Sequence, residues 1–165
     1  MKPSDAATYE RARRLANLAL WTVQMQRRRL NSEEPEDKEF VFRTWSDFQF
    51  LIVALTRLRR AAVLAAKIAP IKGRMRHALS TFDTALPHLK TMRDVAEHID
   101  DYSVDAGHNR GISRKSLEVA SSDGETWNWL DSSINANEAM SASIQLFSAL
   151  KDCASTVKKA RVQTP

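Results

Sequence analysis

Very little in this chain of 165 residues can serve as a covalent or metallic staple. Cys153 is the single cysteine, which excludes an internal disulfide framework and any multi-cysteine zinc site within one chain. It sits among apolar positions at helical spacing and reads as a small core residue rather than a reactive thiol. Four glycines and five prolines leave long stretches without a breaker. Ala, Leu, Arg, Glu, Gln and Met fill those stretches, which favours helix. Long hydrophobic runs are missing as well. The most apolar one, Phe48 to Leu55, is interrupted by Gln49 and soon followed by Arg57, Arg59 and Arg60, too short and too charged to span a bilayer. No apolar signal region follows Met1-Lys2-Pro3, so a cytoplasmic location and no membrane partner are expected. The length fits a single domain over residues 1–165, able to bury a core without disulfides or a structural metal. A phosphate-binding glycine loop is absent, and Ser80 and Ser103 lack the setting of a nucleophile elbow.

What is present is positive charge. The formal net charge is +5 and the isoelectric point about 9.6. Arginine carries most of it, in clusters at Arg11, Arg13, Arg14; Arg27, Arg28, Arg29; Arg57, Arg59, Arg60; and Arg74, Arg76. Arginine forks suit phosphate, so a polyanionic partner is one reading. Solvated helix faces and helix ends are the other, because excess charge bears on solubility and association rather than on fold.

The apolar period predicts four long helical segments. The first runs from about Ser4 to Leu30, capped by Ser4, with Leu15, Ala19 and Val23 on its apolar stripe. Asn31 to Glu39 is acidic, contains Pro35, and reads as a loop. The second starts near Ser46, where Ser46-Asp47-Phe48-Gln49 has capping-box form, and Pro70 and Gly73 end it. The third begins near Lys72 to Arg74 and is kinked or restarted at Pro87. Leu89, Met92, Ala96 and Ile99 continue its apolar face to Tyr102. Residues 103–111 form a polar loop. Alternation at Leu117, Val119, Trp127 and Trp129 around Ser122-Asp123-Gly124 predicts a β-hairpin insertion, about 112–131, whose Trp face packs on the helices. The fourth helix starts at the cap Asn135, with Met140, Ile144, Phe147, Leu150 and Val157 facing the core. Lys158 to Pro165 is a basic, frayed end. The expected fold is all-α: an up-down four-helix bundle with a small hairpin before the last helix.

Chemistry concentrates in Met92-Arg93-Asp94-Val95-Ala96-Glu97-His98-Ile99-Asp100-Asp101. Arginine, four residues, then histidine on a late bundle helix resembles the motif of the HEPN superfamily, and Asp94 fits the polar residue often found after the arginine there. The wider string is also similar to the Leu-Arg-Asn-x-x-Glu-His-Phe-Asp-Glu strings of HEPN-like proteins. The resemblance covers about ten residues closely and the bundle loosely. It implies a small four-helix bundle, a metal-independent endoribonuclease without cofactor, a homodimer that joins two such motifs, and a toxin or defence role with an antitoxin or other partner protein.

The residue types make chemical sense for RNA cleavage by the substrate's own 2′-hydroxyl. His98 suits the general base or acid. Arg93 suits the charge on the phosphorane, being always ionised and able to grip two oxygens. Asp94 and His98, four apart, share a helix face, so Asp94 is expected to orient the ring. Arg93 and His98 are about 140° apart around an ideal helix, so a single copy converges poorly on one phosphate. Glu97 and Tyr102 are expected supports. Arg110, in the Gly107–Gly111 loop, is a weaker candidate for phosphate contact. Trp127 and Trp129 are weaker candidates for base stacking, with packing in the core as their other reading.

The same residues support a plainer reading. Arg93 with Glu97 and Asp94 with His98 then form surface ion pairs worth little, and the chain is a helical dimerisation, partner-binding or RNA-binding module. His77, His88, His98 and His108 come without a Glu-x-x-His pair, so no di-iron or other metal site is expected.

Overall fold

The computed structural model describes residues 3–35 and 42–162. It is mostly helical, with one small antiparallel sheet. Helix α1 (Asp5–Leu30) begins where the Ser4 hydroxyl accepts the Ala7 N–H at 3.2 Å, and ends with Arg27, Arg28 and Arg29 against its carbonyl terminus. Helix α2 (Phe42–Ala65) runs back along it. Arg29 at the end of α1 meets Asp47 near the start of α2 at 2.6 Å, and Ile68 and Pro70 beyond α2 share a cavity wall with Ser4 to Glu10. A 3-10 turn (Ala69–Ile71) led by Pro70 opens α3 (Lys72–Ala85). Then come α4 (Leu89–Glu97), α5 (Ile99–Ser103), the single turn α6 (Arg114–Leu117), strands β1 (Ala120–Ser122), β2 (Thr126–Trp129) and β3 (Ser132–Asn135), and helices α7 (Ala136–Lys151) and α8 (Ala154–Val162).

Small residues make the long seams. Helix α1 buries Ala12, Ala16 and Ala19, and α2 buries Ala54, Ala61, Ala62 and Ala65. Short side chains let helix axes approach closely, and α1 and α2 form the most extensive pairing in the fold. Helix α7 packs on α1, α2 and α3, and α4 packs on α2 through buried Leu89, Met92 and Val95. Cys153 is buried between α7 and α8 with its thiol donating to the Ala149 carbonyl at 3.2 Å, and burial pushes its pKa up.

The sheet closes one end. It has the order β1-β2-β3, with Ser122 opposite Trp127 and Trp127 opposite Ile134. Gly124, at φ +92°, supplies the left-handed residue of the first turn. There the Asp123 carboxylate accepts the N–H groups of Thr126 and Glu125, which holds its pKa below the ordinary carboxylate value. Trp127 stacks on Phe48 at 4.8 Å, and Trp45 meets Trp127 and Trp129 edge-on at 4.9 and 5.6 Å.

Several expectations need correction. The hairpin is a three-stranded meander, because Ser132 to Asn135 pairs with β2 before α7 begins; the segment is too short to show a period of its own. Leu117 belongs to a helical turn and Val119 is exposed. Ser46 lies inside α2 rather than capping it, and its neighbour Asp47 is a buried partner of Arg29 and Arg43. Leu15, Ile99 and Ile144 are exposed rather than core residues. Val157 lies on α8, after a break at Asp152-Cys153. Asn135 does cap α7, its side chain accepting the N–H groups of Asn137 and Glu138. The acidic loop read over residues 31–39 and the basic end read over 158–165 fall only partly within the described residues.

The seam makes a directional prediction. Ala16→Leu forces a branched side chain into a position 1% exposed and should cost about 1–3 kcal/mol. Leu15→Ala, one residue away and 47% exposed, should change stability by no more than about 0.5 kcal/mol. Urea denaturation of the two variants reads the difference directly.

Candidate functional site

Helix α4 is strongly two-sided. Leu89, Met92 and Val95 face the core, and Arg93, Asp94 and Glu97 line the other side. Arg93 Nη1 donates to Glu97 Oε2 at 2.7 Å, the one-turn pairing its spacing predicts. Arg93 Nη2 also lies 4.0 Å from Asp94 Oδ1, and Arg60 of α2 approaches Glu97 at the same distance.

At His98 the helix breaks. Its N–H still reaches the Asp94 carbonyl at 3.1 Å, but its backbone (φ −122°, ψ 36°) leaves the helical region, and α5 starts after it. The His98 ring is exposed and makes no hydrogen bond or ion pair among the described residues. The Asp94 carboxylate is instead taken by a different imidazole. His108 Nδ1 lies 3.1 Å from Asp94 Oδ2. Tyr102, 1% exposed, stands between them, its hydroxyl 3.5 Å from Asp94 Oδ2 and 3.4 Å from His108 Nδ1. The Asn109 N–H donates to that hydroxyl at 3.3 Å. A consistent set of donors follows: Asn109 N–H to the Tyr102 oxygen, with the Tyr102 hydroxyl and His108 Nδ1–H both directed at Asp94.

Tight backbone packing holds the histidine loop. Gly107 lies against the Tyr102 ring so closely that a Cβ would sit 2.3 Å from Cδ1. The Ala106 N–H donates to the Asp101 carbonyl at 2.8 Å. Asp105, at φ 57°, accepts the Arg114 N–H on its carboxylate and the Arg110 guanidinium on its carbonyl, at 2.8 and 2.9 Å.

The structure thus brings Arg93, Asp94, Glu97 and Tyr102 together and leaves His98 outside their hydrogen-bond network. Arg110 is turned onto its own loop. Trp127 and Trp129 are 4% and 2% exposed, and Trp129 Nε1–H donates to the Leu117 carbonyl, so neither ring offers a face for a base. His108 is the residue that spacing alone does not find. It lies fourteen positions beyond Asp94 and reaches it only because the chain turns at His98 and again at Val104. The one sequence signal is Gly107, small where the backbone must cross a tyrosine. Among the described residues no group of three or more His, Cys, Asp or Glu is arranged to hold a metal ion.

No protein-family model, curated protein or solved structure matches the chain.

Gly107→Ala should push the loop off Tyr102, at a cost of about 1–3 kcal/mol, and abolish the nuclear Overhauser contacts between the Tyr102 and His108 rings. Gly73→Ala, with open space around its Cβ, should leave both stability and contacts intact. Retention of the ring contacts in the Gly107 variant would show that the close approach does not position His108.

Proposed function

We propose that the chain is a metal-independent endoribonuclease of HEPN type. The observation that carries this reading is the Asp94 carboxylate, which has an imidazole, His108, at 3.1 Å and a guanidinium, Arg93, at 4.0 Å. In this reading α1, α2, the α3–α5 run and the α7–α8 run are the four limbs of an up-down bundle, with the sheet inserted before the fourth. Arg93 stabilises charge on the phosphate. His108, oriented through Nδ1 by Asp94, takes the 2′-hydroxyl proton at Nε2. The 2′-oxygen attacks phosphorus and the bond to the 5′-oxygen breaks. His98 supplies the proton to that leaving oxygen, so the products are a 2′,3′-cyclic phosphate and a 5′-hydroxyl. Glu97 fixes Arg93, and Tyr102 fixes the carboxylate and the loop.

The working form is a homodimer. His98 has no orienting partner among the described residues of its own chain, and exposed apolar Phe50 and Ile99 flank the site, Phe50 sharing a surface cleft with Arg93 and Glu97. The test is incubation of labelled total RNA and tRNA in EDTA with wild type and with Arg93→Ala, His98→Ala and His108→Ala. The wild type should cut, leaving cyclic phosphate ends, and either histidine variant should lose roughly 10²–10⁴-fold in rate. No cleavage by folded, dimeric wild type would overturn the enzyme reading.

A second reading, a non-catalytic partner-binding module, rests on a different surface. Leu15, Leu18, Trp21 and Met25 form an apolar stripe on the outer face of α1, between 47% and 65% exposed. Contiguous apolar surface of this kind marks interaction sites. Arg11, Arg14 and Arg28 share or border the face without an ion pair among the described residues. A second copy would set arginine against arginine, so charge complementarity selects an amphipathic partner helix with acidic flanks, such as an antitoxin would present. A synthetic Leu/Glu helix should bind saturably and shift Trp fluorescence, a Leu/Lys helix should not, and Leu18→Glu should abolish the effect. Self-association through this face, or binding of anionic vesicles in preference to the acidic helix, would contradict the assignment.

A further inference from the structure

A cavity of about 390 Å³ opens where α2, the end of α3 and the first turns of α4 meet. Four cations line it: Arg59 and Arg60 from α2, and Lys90 and Arg93 from α4. Three carboxylates answer them, Asp94 lying 4.0 Å from Arg93. Asp83 grips Arg59 through two bonds of 2.6 and 2.7 Å, which fixes that guanidinium and neutralises it. Glu97 is shared by Arg93 at 2.7 Å and Arg60 at 4.0 Å. Four cations against three carboxylates leave a formal excess of one positive charge at the mouth. Lys90, exposed, makes no ion pair among the described residues, and Arg60 has only the long contact.

The floor is of a different kind. Leu86 and Leu89 are 5% and 4% exposed, and Pro87 sits between α3 and α4. An apolar floor of this size under a cationic rim fits a ligand with a flat apolar part and an anionic part. A volume of about 390 Å³ is large enough for one nucleotide unit. A phosphate at the rim meets Lys90, Arg60 and Arg93, and the base lies over the Leu86–Leu89 floor. Arg93 lines this cavity and pairs with the carboxylates of the Asp94 cluster, so the two sites adjoin on one face of α4.

We propose that this cavity seats the nucleotide next to the phosphate held at the Asp94 cluster, with Lys90 and Arg60 as its phosphate contacts. The choice of RNA as ligand rests on the ribonuclease reading above; the binding site itself does not. The experiment therefore reads binding without cleavage. A fluorescein-labelled, 2′-O-methylated single-stranded RNA 12-mer cannot be cut by 2′-hydroxyl attack, and its anisotropy is titrated with wild type, Lys90→Glu, Arg60→Glu and Lys159→Glu, each first matched to wild type by circular dichroism. Wild type should bind with an affinity that falls as salt rises. Lys90→Glu and Arg60→Glu should each weaken it tenfold or more, and Lys159→Glu, on exposed α8, by twofold or less. Equal losses in all three variants would overturn the site, because binding would then be diffuse. Absence of RNA binding, with 5′-AMP or inorganic phosphate retained, would overturn the assignment of an RNA chain. Site-specific binding by a wild type that cleaves no natural RNA would uphold the cavity and defeat only the enzyme reading.

Discussion

Close packing of alanine between α1 and α2 is the constraint on which the remainder of the molecule rests. Ala12, Ala16 and Ala19 on one helix and Ala54, Ala61 and Ala65 on the other are each 3% exposed or less. That seam turns one side of α1 inward and sends the opposite side, with Leu18 and Trp21, to solvent. It also leaves the other side of α2 free to receive α4. Because α4 docks on α2 by Leu89, Met92 and Val95, Arg93 comes to the same cavity as Arg60, and Glu97 bridges the two. The cationic rim is thus a consequence of how two helices share a third.

The second determinant is a single buried aromatic. Tyr102 sits at the end of a broken helix with its ring under Gly107 and its hydroxyl among Asp94, His108 and Asn109. A buried phenol needs a partner for its O–H, and here satisfying it gathers a carboxylate and an imidazole from segments on either side of a turn. Ion pairs between exposed groups contribute little to stability. The His108–Asp94 contact, with the histidine largely exposed, therefore matters through the orientation it gives the ring rather than through folding energy.

Local signals carried well into the structure and tertiary ones did not. The Ser4 and Asn135 caps, the breaks around Pro70 and Pro87, and the burial of Cys153 each depend on neighbours in sequence. The core face of α1 does not. That helix is apolar on two sides, and hydrophobicity favours its large residues, whereas the seam selects its alanines. The third strand was hidden because four residues beside a helix cap show no period. Arg93, Asp94 and Glu97 were legible as a charged group on one helix. The pairing of Asp94 with His98 followed from an unbroken helix, and the break at His98 gave the carboxylate to His108 instead.

The candidate site depends most directly on which imidazole Asp94 orients. Long-range ¹⁵N–¹H correlation spectra of the histidine rings, recorded where they are neutral in wild type and in Asp94→Asn, decide it. His108 should be in the Nδ1–H form in wild type and lose that preference in the variant, with the His98 signals unchanged. A tautomeric change at His98, with His108 unaffected, would contradict the account and return the orienting role to the pair one helical turn apart.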